Sequence, residues 1–425
     1  MADAQPFRAL HYDLGVTGGL DPVLAPPYDV IDPQQRAELA GRSPWNVVRV
    51  DLPEATEPGG DPYLQAAADF SRWQEEGAVV QDPEPAYWAL AQDYTGPDGE
   101  ERTRTGFFAA VRVEDYGAGR IRPHERTHPG PREDRLRLTR ATQANLSPIF
   151  SLYSDGDGIA TAALAEATTG EPWGTQVAPD GTVNRMWRVP AGPLTEALRE
   201  ATAGAELLIA DGHHRYETAR AYAGEIGGDG PWRYVLMNLV ALEDPGLTVF
   251  PTHRLVTGLA GDPARRDALI AELERCFEVT ELASEEELPP DGLSADGRIQ
   301  FGYLDAIERR PLRLVLRDSS LVEAAMPGMP GPYLELDTAV LEALVLTGPL
   351  GLTEDDISHL NGLGYSRSDS EALEMVGSGF DAAFFLSGVP VDQIREIAAT
   401  GVNMPPKSTF FTPKVPTGLL FHSLA

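Results

Sequence analysis

The sequence predicts an α/β protein of mixed α and β elements, and three observations carry that expectation. Apolar runs of strand length alternate with segments of helical spacing, as in a sheet covered by helices. The turn GPDGE separates two strand-like runs, AYWALAQDYT and RTRTGFFAAVRVE, and reads as a hairpin. In mid-chain a buried-strand run, ELLIA, passes through Asp211 and Gly212 into a helical segment, YETARAYAGEIG.

The elements follow in order. Proline-rich punctuation, LAPPYDVIDPQQ, precedes a short helix and the apolar run NVVRVDL. Residues 62–77 carry Leu64, Ala67, Ala68, Phe70 and Trp73 at helical spacing. After the hairpin, a loop rich in proline and glycine bears histidines and leads to a helix over Glu133–Asn145 with a weak stripe of Leu136 and Leu138. Asn145 and Ser147 read as a helix end before a strand. The helix LTEALREATAG, the strand before Asp211, the strand YVLMNLVAL and a short strand LTVFPTHRLV complete this part. A further unit opens near residue 260 with DPARRDALIAELERCFEV. The acidic run 283–297 reads as a surface loop. Strands RIQFGYL, PLRLVLRD and DAAFFLSG and helices TAVLEALVLTG and VDQIREIAATG precede the last segment. The expected division is an N-terminal α/β region with the hairpin over 1–118, a core over 119–258 and a C-terminal α/β region over 259–425. No internal repeat is visible.

Composition narrows the function classes. The chain has 425 residues, 42% hydrophobic, enough for a large core. Its 65 acidic residues and net charge of −31 repel phosphate over most of the surface and argue against nucleic-acid binding. One cysteine, Cys276, excludes an intramolecular disulfide and a cysteine-rich metal site, and its setting reads as a buried helix. No basic stretch leads an apolar run at the N-terminus, and no segment approaches the ~20 apolar residues of a membrane span. The expectation is a cytoplasmic protein without a membrane partner, its oligomeric state unspecified.

Only two of the 34 basic residues are lysines, Lys407 and Lys414, and both lie in MPPKSTFFTPKVPTG. A chain that otherwise writes each cation as arginine keeps an ammonium at these two places. An ammonium is a compact point charge suited to a phosphate oxygen. Lys407, the adjacent Ser408 and Lys414 are therefore candidate ligands of a phosphorylated molecule. Prolines at 405, 406, 413 and 416 stiffen the segment.

The sharpest constellation is LLIADGHHRYETA, 207–219. A strand ends at Asp211, Gly212 permits a tight turn, and a helix begins near His214 or Arg215. The free N–H groups and dipole of a helix N-terminus favour an anion, and ligands gather at strand ends in α/β sheets. Arg215 is suited to fork onto a phosphate or carboxylate. His213 and His214 point about 100° apart on a helix, which disfavours both gripping one metal. The loop RPHERTHPG offers Arg122, His124, Glu125, Arg126 and His128; a carboxylate flanked by cations stays ionised, as a base must. His253 and Arg254 in PTHRL either extend an anion pocket or cap a sheet. Tyr28 and Asp29 in PPYDVI either contact a substrate or form a rigid turn in which Asp29 caps the next helix. No GxxxxGK[ST] loop occurs, and no GxGxxG follows a strand. HERTH matches HExxH in letters, but Pro123, Pro129 and Pro131 oppose the long helix a zinc protease needs.

These residues also carry a resemblance. ADGHHRYETA resembles the signature of the ParB/sulfiredoxin-like superfamily, in which such a strand-turn-helix element binds nucleotide phosphates. From end to end the chain resembles a family of uncharacterised bacterial proteins, the domain of unknown function numbered 1015. The matching pieces are PPYDVI, HERT, DRLRLTRATQANLSPIF, IADGHHRYETA, PTHRL and MPPKSTFFTPKVPTGL. The free serine kinase is the enzymatic analogue within the superfamily, with Asp211–Arg215 and Glu125 resembling its motif and its acidic base.

The resemblance implies a ParB/sulfiredoxin-like core with added N- and C-terminal elements. It implies nucleotide-dependent phosphoryl transfer to a small hydroxylated metabolite, with ATP or ADP and Mg²⁺. Glu125, Asp211, His213 and His214 would be catalytic, with Asp211 on the metal. Gly212, Arg215, His124, His253 and Arg254 would bind the nucleotide and Tyr28 and Asp29 the substrate; Lys407, Ser408 and Lys414, which have no counterpart in that kinase, join the nucleotide ligands on the reading of their own segment. Two other readings stay open: a nucleotide-binding switch without turnover, and a phosphate-ester hydrolase.

Overall fold

The computed structural model describes residues 3–55, 59–116, 120–125 and 129–425. The chain forms two compact units. The first is Met1–Leu247 together with Pro413–Ala425, and the second is Thr248–Thr412.

The first unit is built on a nine-stranded mixed sheet. Its strands are β1 (Ala4–Gln5), β2 (Ala86–Thr95), β3 (Glu101–Arg112), β4 (Ile121–Arg122), β5 (Ile149–Tyr153), β6 (Gly174–Val177), β7 (Val183–Pro190), β8 (Leu207–Asp211) and β9 (Tyr234–Ala241). They run in the order β4-β8-β5-β9-β3-β2-β7-β6, with β1 added against β3. The expected hairpin is β2 and β3, antiparallel with Trp88 opposite Phe108. β8 lies antiparallel to β5, and β9 parallel to it.

Strand alternation separates the two faces of this sheet. One face carries Ala89, Phe107, Ile149, Leu207, Ile209 and Met237, packed in the core with residues of three helices. These are α1 (Ile159–Ala167), α2 (Pro193–Thr202) and α3 (His213–Ile226), which contribute Leu164, Leu198 and Tyr216 among others. The other face carries a buried polar set that includes Gln92, Arg104, Asn184 and Asn238.

Two helices differ from the sequence expectation for local reasons. The helix Pro62–Glu75 starts on an Asp61 cap with Pro62 in its first turn, and buries Ala66, Phe70 and Trp73. Leu64, expected on the buried stripe, is 66% exposed. The helix expected over Glu133–Asn145 spans Pro129–Thr142. Pro129 and Pro131, two of the prolines that suggested a loop, sit in its first turn, where a missing N–H costs nothing.

The second unit holds a six-stranded antiparallel sheet of β10 (His253–Val256), β11 (Phe277–Glu281), β12 (Gln300–Asp305), β13 (Leu312–Leu316), β14 (Leu363–Ser366) and β15 (Ala382–Phe385), in the order β11-β13-β12-β15-β10-β14. The single strand expected over LTVFPTHRLV is two. Val249–Phe250 pairs with Phe410–Phe411, and β10 joins the large sheet. Pro251 lies between them and cannot donate to a ladder. Cys276 is buried, the last residue of the helix Pro263–Cys276. No helix among the described residues is long and apolar enough to cross a membrane.

Candidate functional site

The site begins with an irregularity in β8. Ile209 opposes Ser151, but Asp211 opposes Phe150, so Ala210 is one extra residue in the ladder. In a regular strand Asp211 would share the face of Leu207 and Ile209, against the helices. The bulge turns it to the face of Phe150, because a one-residue slip reverses the side chains that follow. A carboxylate that regular geometry would bury in an apolar core instead meets polar company.

Gly212 follows with φ 96°, a left-handed turn that leads into α3. A Cβ here would lie 3.0 Å from the guanidinium carbon of Arg215, so a glycine also gives Arg215 its room. Gly212, at the cap position of α3, has no side chain to offer the helix. The helices at Pro33, Pro62 and Pro263 are all capped, by Asp32, Asp61 and Asp262.

Asp211 is held between two cations. Its Oδ2 accepts from Arg215 Nη2 at 2.5 Å, and its Oδ1 accepts from the ammonium of Lys414. Burial pushes the carboxyl up, but Lys414 and Arg215 outweigh that and hold it well below the usual carboxylate range. Arg215 is further fixed by Ser147 Oγ at 2.8 Å and the Pro148 carbonyl.

His213 lies beneath this pair, 6% exposed, and packs edge-on against His124 with ring centroids 4.7 Å apart. The His124 backbone N–H donates to His213 Nε2 at 3.3 Å, so that nitrogen carries no proton. His124 Nδ1 donates to the Ile209 carbonyl at 2.7 Å. Burial lowers the pKa of both rings, each neutral at pH 7. Glu125 follows His124 directly and is half-buried. His214 is half-buried on the first turn of α3, and Arg122 pairs with Glu206 at 2.7 Å. Arg126 and His128 lie outside the described residues.

A ladder of polar side chains sets the position of Lys414. Asn184 donates to Gln176 at 2.7 Å, Gln92 to Asn184 at 2.7 Å, and Arg104 to Gln92 at 2.5 Å, crossing β6, β7, β2 and β3. The ladder then grips the last segment of the unit. Arg104 donates to the Pro413 carbonyl at 2.5 Å and Gln92 to the Lys414 carbonyl at 3.3 Å. Arg104 is 1% exposed, and its guanidinium sits 4.4 Å from the ring centre of Phe150, the residue opposite Asp211. Burial lowers the Arg104 pKa to about 10, so it remains a cation.

On the far side of Arg215 lies a small cleft of about 40 Å³ whose lining includes Tyr28, Asp51, Arg135, Asn145, Ser147 and Arg215. Arg135 Nη1 donates to Asp51 Oδ1 at 3.1 Å, and its guanidinium lies 4.4 Å from the Tyr28 ring centre. Asp29 is exposed and does not cap the following helix. Asp32 does, in a capping box with Gln35. The helix-end reading of Asn145 gives way too: its Oδ1 accepts from the Leu236 N–H across the sheet at 3.1 Å.

The other candidates belong to the second unit. His253 is fully buried; its Nδ1 accepts from the Leu386 N–H at 3.2 Å and its Nε2 donates to Asp369 at 2.7 Å. Arg254 donates to the carbonyls of Thr252, Pro406 and Lys407. Ser408 bonds Thr338 and the Pro405 carbonyl. Lys407 is exposed, with φ 57°. The two lysines therefore fall in different units.

No group of three or more His, Cys, Asp or Glu suited to a metal occurs among the described residues, and both oxygens of Asp211 are engaged. These residues do not form a ready Mg²⁺ site.

Sequence reasoning missed Arg104, Gln92, Arg135 and Asp51. Arg104 had a faint signal: its side of β3 continues through Gly106 to Phe108, so an arginine there stands in line with buried residues.

The fold and site define an α/β protein whose mixed sheet ends in a charged strand-to-helix turn. The chain belongs to the family described as protein of unknown function (DUF1015), matched over residues 4–334. The comparison with curated protein sequences found no match. Among solved structures, the free serine kinase in complex with AMP is similar at 15% identity, covering 71% of this chain and 89% of that one, with a TM-score of 0.34. SbnI with a C-terminal truncation from Staphylococcus aureus is similar at 12% identity over 73% and 85%, with a TM-score of 0.37. A conserved hypothetical protein from Pyrococcus furiosus is similar at 17% identity over 71% and 92%, with a TM-score of 0.34.

Proposed function

We propose that the turn at Asp211–Arg215 binds the phosphate of a nucleotide and that the protein transfers a phosphoryl group to a small hydroxylated metabolite. The carrying observation is the pairing of Lys414 and Arg215 on one carboxylate at the start of α3. The first-turn N–H groups and two cations are the parts a phosphoryl group needs around its oxygens. This is the nucleotide-binding use of the ParB/sulfiredoxin-like element.

In this reading Asp211 holds the cations in place rather than binding a metal. Neutral His213 keeps its neighbourhood from gaining a further charge. Glu125, which follows His124, is the base for the acceptor hydroxyl. Mg²⁺ would arrive on the nucleotide, held by phosphate oxygens and water.

A second reading, a nucleotide-dependent switch without turnover, is favoured by the engagement of both Asp211 oxygens, which leaves no carboxylate there open to a metal. Incubation with ATP or ADP and Mg²⁺, with and without serine, separates the two. Nucleotide loss that requires the acceptor supports transfer. Saturable binding without loss supports the switch, and absence of binding removes both.

A further inference from the structure

We propose that the outer edge of β11, with the groove between that strand and the helix Pro263–Cys276, docks an extended basic segment of another protein as an added strand. The groove has a volume of about 580 Å³ and lies wholly in the second unit, whereas the turn at Asp211 belongs to the first.

The backbone supplies half of the site. β11 pairs with β13 on one side, Phe277 opposite Leu316 and Glu281 opposite Leu312. Two bonds at its ends set the phase of this ladder: the Leu282 N–H donates to the Pro311 carbonyl, and the Arg317 N–H to the Cys276 carbonyl. In an antiparallel pair, alternate residues turn their N–H and C=O groups outward. Here these are Phe277, Val279 and Glu281. The Phe277 N–H is spent on the Leu273 carbonyl. The backbone groups of Val279 and Glu281 meet no partner among the described residues. Four of the five residues of β11 are exposed, whereas β14, at the other edge of the sheet, is buried at three of its four. An open edge of this kind is a template for another strand.

The side chains supply the other half. Val279 and Glu281 share a face with Leu314 and Leu312, and Ile270 of the helix adds to this apolar floor. The charged groups of the lining are five carboxylates and two guanidinium groups. Both guanidinium groups are already paired. Arg266 meets Glu308 at 2.9 Å and Asp305 at 3.6 Å, and Arg310 meets Glu308 at 2.6 Å and Glu281 at 3.6 Å. Asp267 and Glu274, about two helical turns apart, have no cation partner among the described residues. The surplus is three negative charges. Counting Arg317, which donates to the Glu274 carbonyl at 3.2 Å, still leaves two. Arg298 with Glu278 and Asp296, Arg309 with Glu285, and Arg275 with Glu272 add no positive charge. Arg313 stands opposite Thr280, on the other face of the sheet, and donates to the Leu288 carbonyl.

Charge selects the occupant. A second copy would set the same acidic edge against itself. A strand with arginine or lysine between apolar residues matches both the floor and the surplus, and its main chain pairs with the open groups of Val279 and Glu281.

The test is fluorescence polarisation of the full chain with a labelled peptide of alternating arginine and valine. Its controls are the same peptide N-methylated throughout, which keeps the charge but has no N–H to donate, and an analogue with glutamate for arginine. The peptide should bind at least tenfold more tightly than either control, and less tightly as salt rises. Val279→Pro removes an outward N–H and leaves the ladder with β13 intact, and should weaken the peptide at least fivefold. Asp267→Lys combined with Glu274→Lys changes exposed positions only, should weaken it at least tenfold, and serves where Val279→Pro does not fold. Equal binding of the N-methylated peptide marks attraction to the acidic surface alone and overturns the docking edge. No binding of the peptide, or unchanged affinity in either folded variant, does the same. A full chain that dimerises in the ultracentrifuge, and loses the dimer in Val279→Pro, gives the edge to a second copy and overturns the partner.

Discussion

Lys414 closes an ion pair with Asp211 across 203 residues of sequence, within a single folded unit. The pair is the structural content behind the rarity of lysine. A chain that uses arginine for every other cation outside one short segment places an ammonium on the carboxylate at the end of β8. The role proposed for it makes a direct prediction. Lys414→Met should weaken AMP binding by about 1.5–3 kcal/mol, the usual worth of a charge-assisted contact. Lys414→Arg should recover part of the loss, because it keeps charge but changes shape. Unchanged calorimetric affinity in both variants would remove Lys414 from the nucleotide site.

Asp211 should also be a stability residue. Its carboxyl is held well below its ordinary range, so its contribution is present above pH of about 4 and fades as pH falls toward the folded value. Asp211→Asn leaves Lys414 and Arg215 facing a neutral group. It should destabilise the fold at pH 7 by about 3 kcal/mol. It should also flatten the acid limb of the stability curve, measured by denaturant titration from pH 3 to 7. A variant that loses stability on acidification as steeply as the parent would contradict this.

The buried histidines set a second pH dependence with its own window. His124 and His213 have lowered pKa values, and burial lowers His422 to about 4. Above pH of about 6.5 both folded and unfolded chains carry these rings neutral, and they contribute no slope. Below it the unfolded chain takes up protons that the fold refuses. Stability should fall by up to about 1.4 kcal/mol per pH unit for each such ring. His213→Asn should remove one ring's share of that slope between pH 6.5 and 5.

Gly212→Ala tests the turn. A left-handed φ costs an L-residue roughly 1–2 kcal/mol, and the new methyl would press on the Arg215 guanidinium. Thermal denaturation should show that loss. A greater fall in AMP affinity than in stability is expected, since Arg215 is displaced.

Arg104→Met tests the grip on the segment that carries Lys414. It leaves the Gln92 carboxamide oxygen and the Pro413 carbonyl without their donor, at about 1–3 kcal/mol of stability for the buried groups. The Lys414 contact with Asp211 should loosen with it, so the variant should share the AMP-binding loss of Lys414→Met.

Much of this was legible in the sequence, and the residues say why. The hairpin of β2 and β3, the strand before Asp211 and the helix after Gly212 follow from apolar periodicity and a glycine turn, which are local signals. The lysine segment was visible through composition. The bulge at Ala210 was not, since LLIAD reads the same whether Asp211 faces one side of the sheet or the other. Only the pairing register with Phe150 decides it. Arg104 and Gln92 look like ordinary polar residues of an alternating strand. Their value depends on a segment more than 300 residues away. The cleft at Arg135 depends likewise on Tyr28 and Asp51, which no local pattern ties to it.

The division of the chain has a consequence for vectorial synthesis. The sheet of the first unit is encoded before residue 248, yet the peptide bearing Lys414 leaves the ribosome only after the second unit has been made. Until then Asp211 lacks Lys414, and Gln92 and Arg104 lack the carbonyls of Lys414 and Pro413. A nascent chain in this state would carry the anion turn without its ammonium. The ammonium is withheld until translation has passed residue 414, so the order of the genetic message itself sets Lys414 on Asp211 only after the second unit has been made.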